Sequence, residues 1–368
     1  MNLVFSNGIY TSFLLYGVLK QNYEPQSNVE PHNIETQNNV FVLYLSKKNN
    51  ILIEQNKNIL NQLFNTKKSL LWQNYKTFFS FKVNKFKADI GNVSGVEEIK
   101  NIYLPINSSS VKLHKELKKV YPQSNFIFYE EGLLSYIRPV FNKHLRQLLI
   151  KYKSFFVGYD ILNNYLKHFL PNACISIINK SYLLQAIDII KVNIKISNNS
   201  TKKYCILLPQ YYYISSKKKF TELVNLYKIE INNLKQLGYE IVIKEHPKTS
   251  VKISNLLQEV EVLNSDTPLI IEQLMPNLKI DLVFSVYSTS LLSLSYFFNI
   301  NAISSKAMLN QRINYYSFYP TLSALLINNL FYSLNYGIIN KEKKADIKDI
   351  FKSNNKLFNF FIYIKAKI

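Results

Sequence analysis

Short apolar runs that alternate with helix-length segments narrow the fold of this chain more than any other feature. Leu3–Ser6, Val40–Leu45, Asn101–Leu104, Phe126–Tyr129, Tyr204–Leu208, Glu240–Lys244 and Ile280–Phe284 have strand length and strand character. Between them, Tyr10–Leu19, Ile53–Phe64 and Ser110–Val120 read as helices, the last with Lys118 and Lys119 where a helix C-terminus favours positive charge. Phe220, Val224, Tyr227, Ile231 and Leu234 recur at helical spacing, and Gly238 suits the position just past that helix. Strand and helix in alternation build parallel sheets covered by helices, so the expected class is α/β with two Rossmann-like domains. A chain of 368 residues is long for one core. The polar stretch 193–203 divides it into an acceptor-side domain, 1–195, and a nucleotide-sugar domain, 196–330. A basic, aromatic tail, 331–368, follows. In the second domain a further cycle is expected: Val260–Leu263, a turn at Ser265-Asp266, and a helix from near Pro268.

Composition excludes several function classes. Glycine is scarce, 8 in all, and no Gly-rich phosphate loop is present. Cys174 and Cys205 are too few for a disulfide scaffold or cysteine metal site, and both are expected as buried thiols in a reducing cytoplasm. The first 19 residues are uncharged but lack a basic start, and Asn7-Gly8 interrupts them. The uncharged segment 285–305 is rich in Ser and Asn and reads as a strand end plus buried helix. No membrane span is expected. Net charge is +21, which attracts polyanions, yet no nucleic-acid module accompanies it. Nucleic acid is therefore not an expected partner. The tail from Lys356 mixes aromatics with lysines. It either lies on an anionic membrane surface at the inner face or packs back on a domain.

Three polar clusters interrupt the apolar pattern: Glu130-Glu131-Gly132, His246-Pro247 and Ser288-Thr289-Ser290. Each follows an apolar strand, which is how open α/β sheets deliver groups to a crevice. Partial burial strengthens a carboxylate as a base, and Gly132 lets the backbone turn tightly. A solvated turn explains Glu-Glu-Gly equally well. Pro247 restricts the backbone beside His246, and Lys244 and Lys248 supply a positive field suited to phosphate; a structural histidine is the competing reading. His32, His114, His144 and His168 lack such a setting and are read as surface or helix residues. Ser288, Thr289 and Ser290 precede an apolar helical run; they cap it, and its free amides suit a phosphate.

The order of these clusters resembles bacterial sialyltransferases of the lipooligosaccharide sialyltransferase and capsule polysialyltransferase type, over roughly 126–305. A loose match at Thr267-Pro268…Glu272 lies between the last two clusters. The resemblance implies a GT-B fold with the site in the cleft between domains. It also implies inverting transfer of sialic acid, or a related nonulosonic acid, from a CMP-activated donor to a cell-surface glycan or glycolipid. On that pattern Glu130 is the base, with Glu131 and Gly132 supporting it. His246 is the acid and phosphate contact, and Lys244, Pro247, Lys248, Ser288, Thr289 and Ser290 hold the donor. No cofactor or metal is implied, the CMP sugar being a substrate. Two alternatives stand at this point. One is a CDP-glycerol glycerophosphotransferase, which shares the His-Pro motif; the other is a non-enzymatic basic protein that binds polyanions.

Overall fold

In a computed structural model the chain divides into two compact units, Met1–Ile190 and Lys191–Ile368. The structure describes residues 1–6, 8–23, 39–44, 50–64, 69–72, 98–107, 109–132, 134–160, 163–192, 202–209, 217–246, 252–257, 260–263, 270–285, 288–305, 332–335 and 338–340.

The first unit is a sheet of β1 (Asn2–Ser6), β2 (Asn39–Tyr44), β3 (Ser69–Trp72), β4 (Asn101–Ile106), β5 (Asn125–Glu130), β6 (Phe155–Val157) and β7 (Ile175–Ile177). Its spatial order is β3-β2-β1-β4-β5-β6-β7, with every pairing parallel. Helices α1 (Ile9–Tyr23), α2 (Asn50–Phe64), α3 (Ser110–Val120), α4 (Leu134–Phe141), α5 (Lys143–Tyr152), α6 (Asn163–Phe169) and α7 (Lys180–Ile190) lie between or after the strands. Leu3, Val4 and Phe5 are fully buried, as a parallel strand covered on both faces requires. Helix α1 is buried along 11–20, which its apolar composition on all sides demands.

The second unit repeats the plan with β8 (Lys203–Leu207), β9 (Tyr239–Ile243), β10 (Glu261–Val262), β11 (Leu282–Ser285), β12 (Asn301–Ser305), β13 (Tyr332–Asn335) and β14 (Ile338–Asn340). The order is β10-β9-β8-β11-β12-β13-β14, parallel except for the antiparallel β13–β14 pair. Its helices are α8 (Lys217–Gln236) and α9 (Thr289–Phe298). Cys205, Leu207, Ile241, Ile243, Leu282 and Phe284 pack with Leu223, Tyr227, Ile231 and Leu234 of α8 to form the core. In both sheets strand order reverses beside the first strand, between β1 and β4 and between β8 and β11. Carboxyl ends of strands at such a reversal leave a crevice for ligands.

Most expected elements are present, and Gly238 has φ 83 just past α8. Three expectations change. Cys174 is exposed because it follows the turn after α6 rather than lying within a strand, while Cys205 is buried in β8. The helix foreseen from near Pro268, which itself lies outside the described residues, is represented by short 3-10 turns at Ile271–Gln273 and Met275–Asn277; Pro276 starts the second turn. Segment 285–305 holds a strand, β12, as well as α9, because Asn299 at φ 55 ends the helix and turns the chain back into the sheet. His114 belongs to α3 as expected. Its Nε2 meets Tyr152 Oη at 2.9 Å, and burial with Lys118 and Lys151 nearby lowers its pKa to about 4. Pro247, Lys248, the linker residues 193–201, and the tail beyond 340 lie outside the described residues, as does His32. Among the described residues no helix is long and apolar enough to cross a membrane.

Gly17 tests the packing of α1. A Cβ there would stand 2.5 Å from Ile178 Cγ2 and 2.7 Å from Leu183 Cδ2. Gly17→Val should therefore lower the unfolding free energy by about 1–3 kcal/mol in a urea titration, the usual cost of overpacking. An unchanged midpoint would mean that α1 and α7 are not packed this closely.

Candidate active site

In the first unit the acidic cluster sits at the carboxyl end of β5, where Glu130 pairs in register with Ile106 of β4. The side chain of Glu130 is wholly buried. Its Oε2 accepts from the Gly158 amide at 2.7 Å and from the Tyr136 hydroxyl. Its Oε1 accepts from the Tyr10 hydroxyl at 3.2 Å. Tyr10 is also in short hydrogen-bond contact with Tyr159. These groups come from separate elements: Tyr10 from the first turn of α1, Tyr136 from α4, and Gly158 and Tyr159 from the segment after β6. Burial raises the Glu130 pKa from its ordinary 4.5 to about 7, and the three donors oppose that rise. Desolvation also holds the hydroxyls of Tyr10 and Tyr136 well above the ordinary tyrosine value. The result is a carboxylate that exchanges a proton near neutral pH, against un-ionised phenols.

Glu131 and Gly132 do different work. Glu131 is half-buried and lies 3.8 Å from Arg138 Nη1, while its amide donates to Ser135 Oγ at 2.7 Å. Ser135 in turn donates to the Ile106 carbonyl at 2.9 Å, tying the start of α4 to β4. Gly132 has φ 133, a conformation side chains disfavour, so the turn out of β5 needs glycine here.

In the second unit the remaining clusters lie at carboxyl ends of the sheet. Lys244, Glu245 and His246 follow β9; the Lys244 amide donates to Leu207 at 3.0 Å, which holds this exit against β8. His246 is half-buried. Lys244 is 5% exposed, and its ammonium donates to the Glu245 carbonyl at 2.9 Å. Desolvation lowers its pKa to about 8, countered by the Glu245 and Glu272 carboxylates. Glu245 accepts from the Ser254 amide at 2.8 Å. Ser288 caps α9, accepting from the Ser290 amide at 3.2 Å, and Ser288, Thr289 and Ser290 are all half-buried. Beside the switch point, Ser285 Oγ donates to the Leu208 carbonyl at 2.7 Å and ties β11 to β8.

Glu272 joins these pieces. Its carboxylate is 1% exposed, accepts from Ser293 at Oε1, and attracts Lys244. Burial raises its pKa. The start of α9 and the exit of β9 thus share one buried carboxylate. The sequence marks Glu272 only as part of a loose match, and nothing in spacing marks Tyr10, Tyr136, Gly158 or Tyr159. The Glu130 cluster belongs to the first unit, and the His246, Glu272 and Ser288 groups belong to the second.

Comparison with curated proteins finds no match. Among solved structures, a UDP-GlcNAc 2-epimerase from Methanocaldococcus jannaschii is 13% identical, covers 99% of this chain and 100% of its own, and has a TM-score of 0.51. A second UDP-N-acetylglucosamine 2-epimerase is 8% identical, covers 99% and 89%, and scores 0.52. An α/β-galactoside α-2,3-sialyltransferase from Photobacterium phosphoreum is 11% identical, covers 83% and 90%, and scores 0.46. The fold is GT-B, built from two Rossmann-like units. Residues 2–307 match the family model described as alpha-2,8-polysialyltransferase, and so this chain, a glycosyltransferase of sialyltransferase type, belongs to that family.

Proposed function

We propose that the protein transfers sialic acid, or a related nonulosonic acid, from a CMP-activated donor to a glycan or glycolipid acceptor with inversion. The observation that carries this reading is Glu130: a buried strand-end carboxylate with a pKa near about 7 and three hydrogen-bond donors. An acceptor hydroxyl attacks the anomeric carbon of the donor as the bond from that carbon to the CMP phosphate oxygen breaks. The hydroxyl proton passes to Glu130, and His246 gives a proton to the departing phosphate. The N-terminus of α9, with Ser288, Thr289 and Ser290, faces the growing phosphate charge. Lys244 and Lys248 contribute positive field, and Pro247 restrains His246. The lysines and aromatics of 356–368 suit an anionic membrane surface at the cytoplasmic face. Family membership weighs against glycerol phosphate transfer and against a purely polyanion-binding role. CMP release from CMP-sialic acid, with none from CDP-glycerol, is the result this reading requires.

Glu130→Gln should abolish transfer while leaving CMP affinity nearly unchanged. Transfer kept within about tenfold, a barrier change of about 1.4 kcal/mol, would remove Glu130 from the role of base and make Glu131 the next candidate. The same variant reports on burial. A carboxyl whose folded pKa exceeds its unfolded value holds more protons when folded, so wild-type stability declines as pH rises from 4.5 to about 7 and is level above. The melting temperature of Glu130→Gln relative to wild type should therefore increase between pH 5 and pH 8. The rise from 4.5 to about 7 corresponds to on the order of 3 kcal/mol.

His246→Ala should lower turnover by on the order of a hundredfold or more and weaken CMP binding, with little change in melting temperature. A variant that melts early but turns over normally once folded would make the histidine structural. Activity should also persist in excess EDTA, because the phosphate charge is met by imidazole, amides and ammonium groups. Loss on chelation, restored by Mg²⁺ or Mn²⁺, would overturn that assignment.

A further inference from the structure

Glu130 as base raises a difficulty of access. Its side chain is 0% exposed, as are Tyr136 and Tyr159 beside it. Tyr10 is half-buried and is the least buried member of this hydrogen-bonded group. The two carboxylate oxygens differ as well. Oε2 is held by two donors, the Gly158 amide and the Tyr136 hydroxyl. Among the described residues Oε1 takes its hydrogen bond from Tyr10, at 3.2 Å. A proton arriving at Glu130 therefore finds room on Oε1, through the Tyr10 hydroxyl.

Tyr10 is placed firmly. It follows the Gly8 carbonyl, which accepts from Thr11 Oγ1 at 2.7 Å and from the Ser12 amide at 3.0 Å, so the first turn of α1 is pinned to the end of β1. Strand β1 is the central strand beside the order reversal, and the loop after it opens at the ligand-binding edge of such a sheet. A phenol hydroxyl has one proton to give and two lone pairs. With its proton directed at Glu130 and one lone pair met by Tyr159, the second lone pair is left for an incoming hydroxyl.

From this geometry, and resting on the reading of Glu130 as base, we propose that Tyr10 is a further catalytic residue that relays the proton between an acceptor sugar hydroxyl and Glu130. As the acceptor oxygen bonds to the anomeric carbon and the bond to CMP phosphate breaks, the acceptor proton moves to Tyr10 Oη. The proton already on Tyr10 moves to Glu130 Oε1 in the same event. The phenol ends as it began, the carboxylate ends protonated, and the proton leaves by the reverse path once product has departed. Tyr159 and Tyr136 hold the phenol and the carboxylate in line.

The test uses the full chain with CMP-N-acetylneuraminic acid as donor and an α2,8-linked oligosialic acid as acceptor. Tyr10→Phe should lower kcat at least a hundredfold, with donor KM, CMP affinity and melting temperature close to wild type. The residual activity should show its acidic limb at higher pH, because a hydrogen bond that favours ionised Glu130 is gone. A packing role alone would leave that limb in place. Transfer by Tyr10→Phe within tenfold of wild type, alongside inactive Glu130→Gln, overturns the relay and leaves the base assignment standing. Active Glu130→Gln overturns both. Should Tyr10→Phe fail to fold, Tyr10→His is compared with Tyr10→Leu. At least tenfold more activity in the imidazole variant supports proton transfer at this position, and equal activity overturns it.

Discussion

A carboxylate at the end of β5 sets the terms for the first unit. Burying Glu130 without compensation would leave a charge in a medium that cannot solvate it. The compensation comes from an amide after β6, a hydroxyl on α4 and a hydroxyl on α1, none of them adjacent in sequence. The order β1-β4-β5-β6 places these exits side by side. Gly132 and the Ser135 bridge to Ile106 then bring α4 back over the same edge. The compensation is incomplete, and burial raises the Glu130 pKa to about 7.

The second unit solves a related problem differently. Lys244, Glu245 and Glu272 are all nearly buried, and each has a local partner: ammonium to carbonyl, carboxylate to amide, carboxylate to the Ser293 hydroxyl. The charges brace the exit of β9 and the start of α9. His246, at the exit of β9, and Ser288, Thr289 and Ser290, at the start of α9, are half-buried. Lys244 thus has a dual character. It adds positive field, and it is also a structural partner of Glu272.

Much of the architecture was legible in the chain because its signals are local. The apolar run Leu3–Ser6 is buried on both faces, Phe126–Tyr129 nearly so, and α8 ends where Gly238 follows. The structure departs from the local pattern where a local signal is overridden. Asn299 in the left-handed region ends α9 early enough for β12 to join the sheet. Around Pro276 the backbone makes 3-10 turns in place of a full helix. Cys174, in a segment that reads as apolar, follows a turn and is exposed.

The sequence alone determined the alternation of elements, and the three polar clusters at strand ends with the family they indicate. Such patterns are carried by neighbours within a few residues of one another. Which groups surround Glu130 was decided only by tertiary structure. Tyr10 lies 120 positions away in the chain and meets it because β1 and β5 flank β4. The placement of Glu272 between Lys244 and Ser293 of α9 was decided in the same way. Hydrogen bonds of this range depend on sheet order, and sheet order is set by how the whole unit buries its apolar surface.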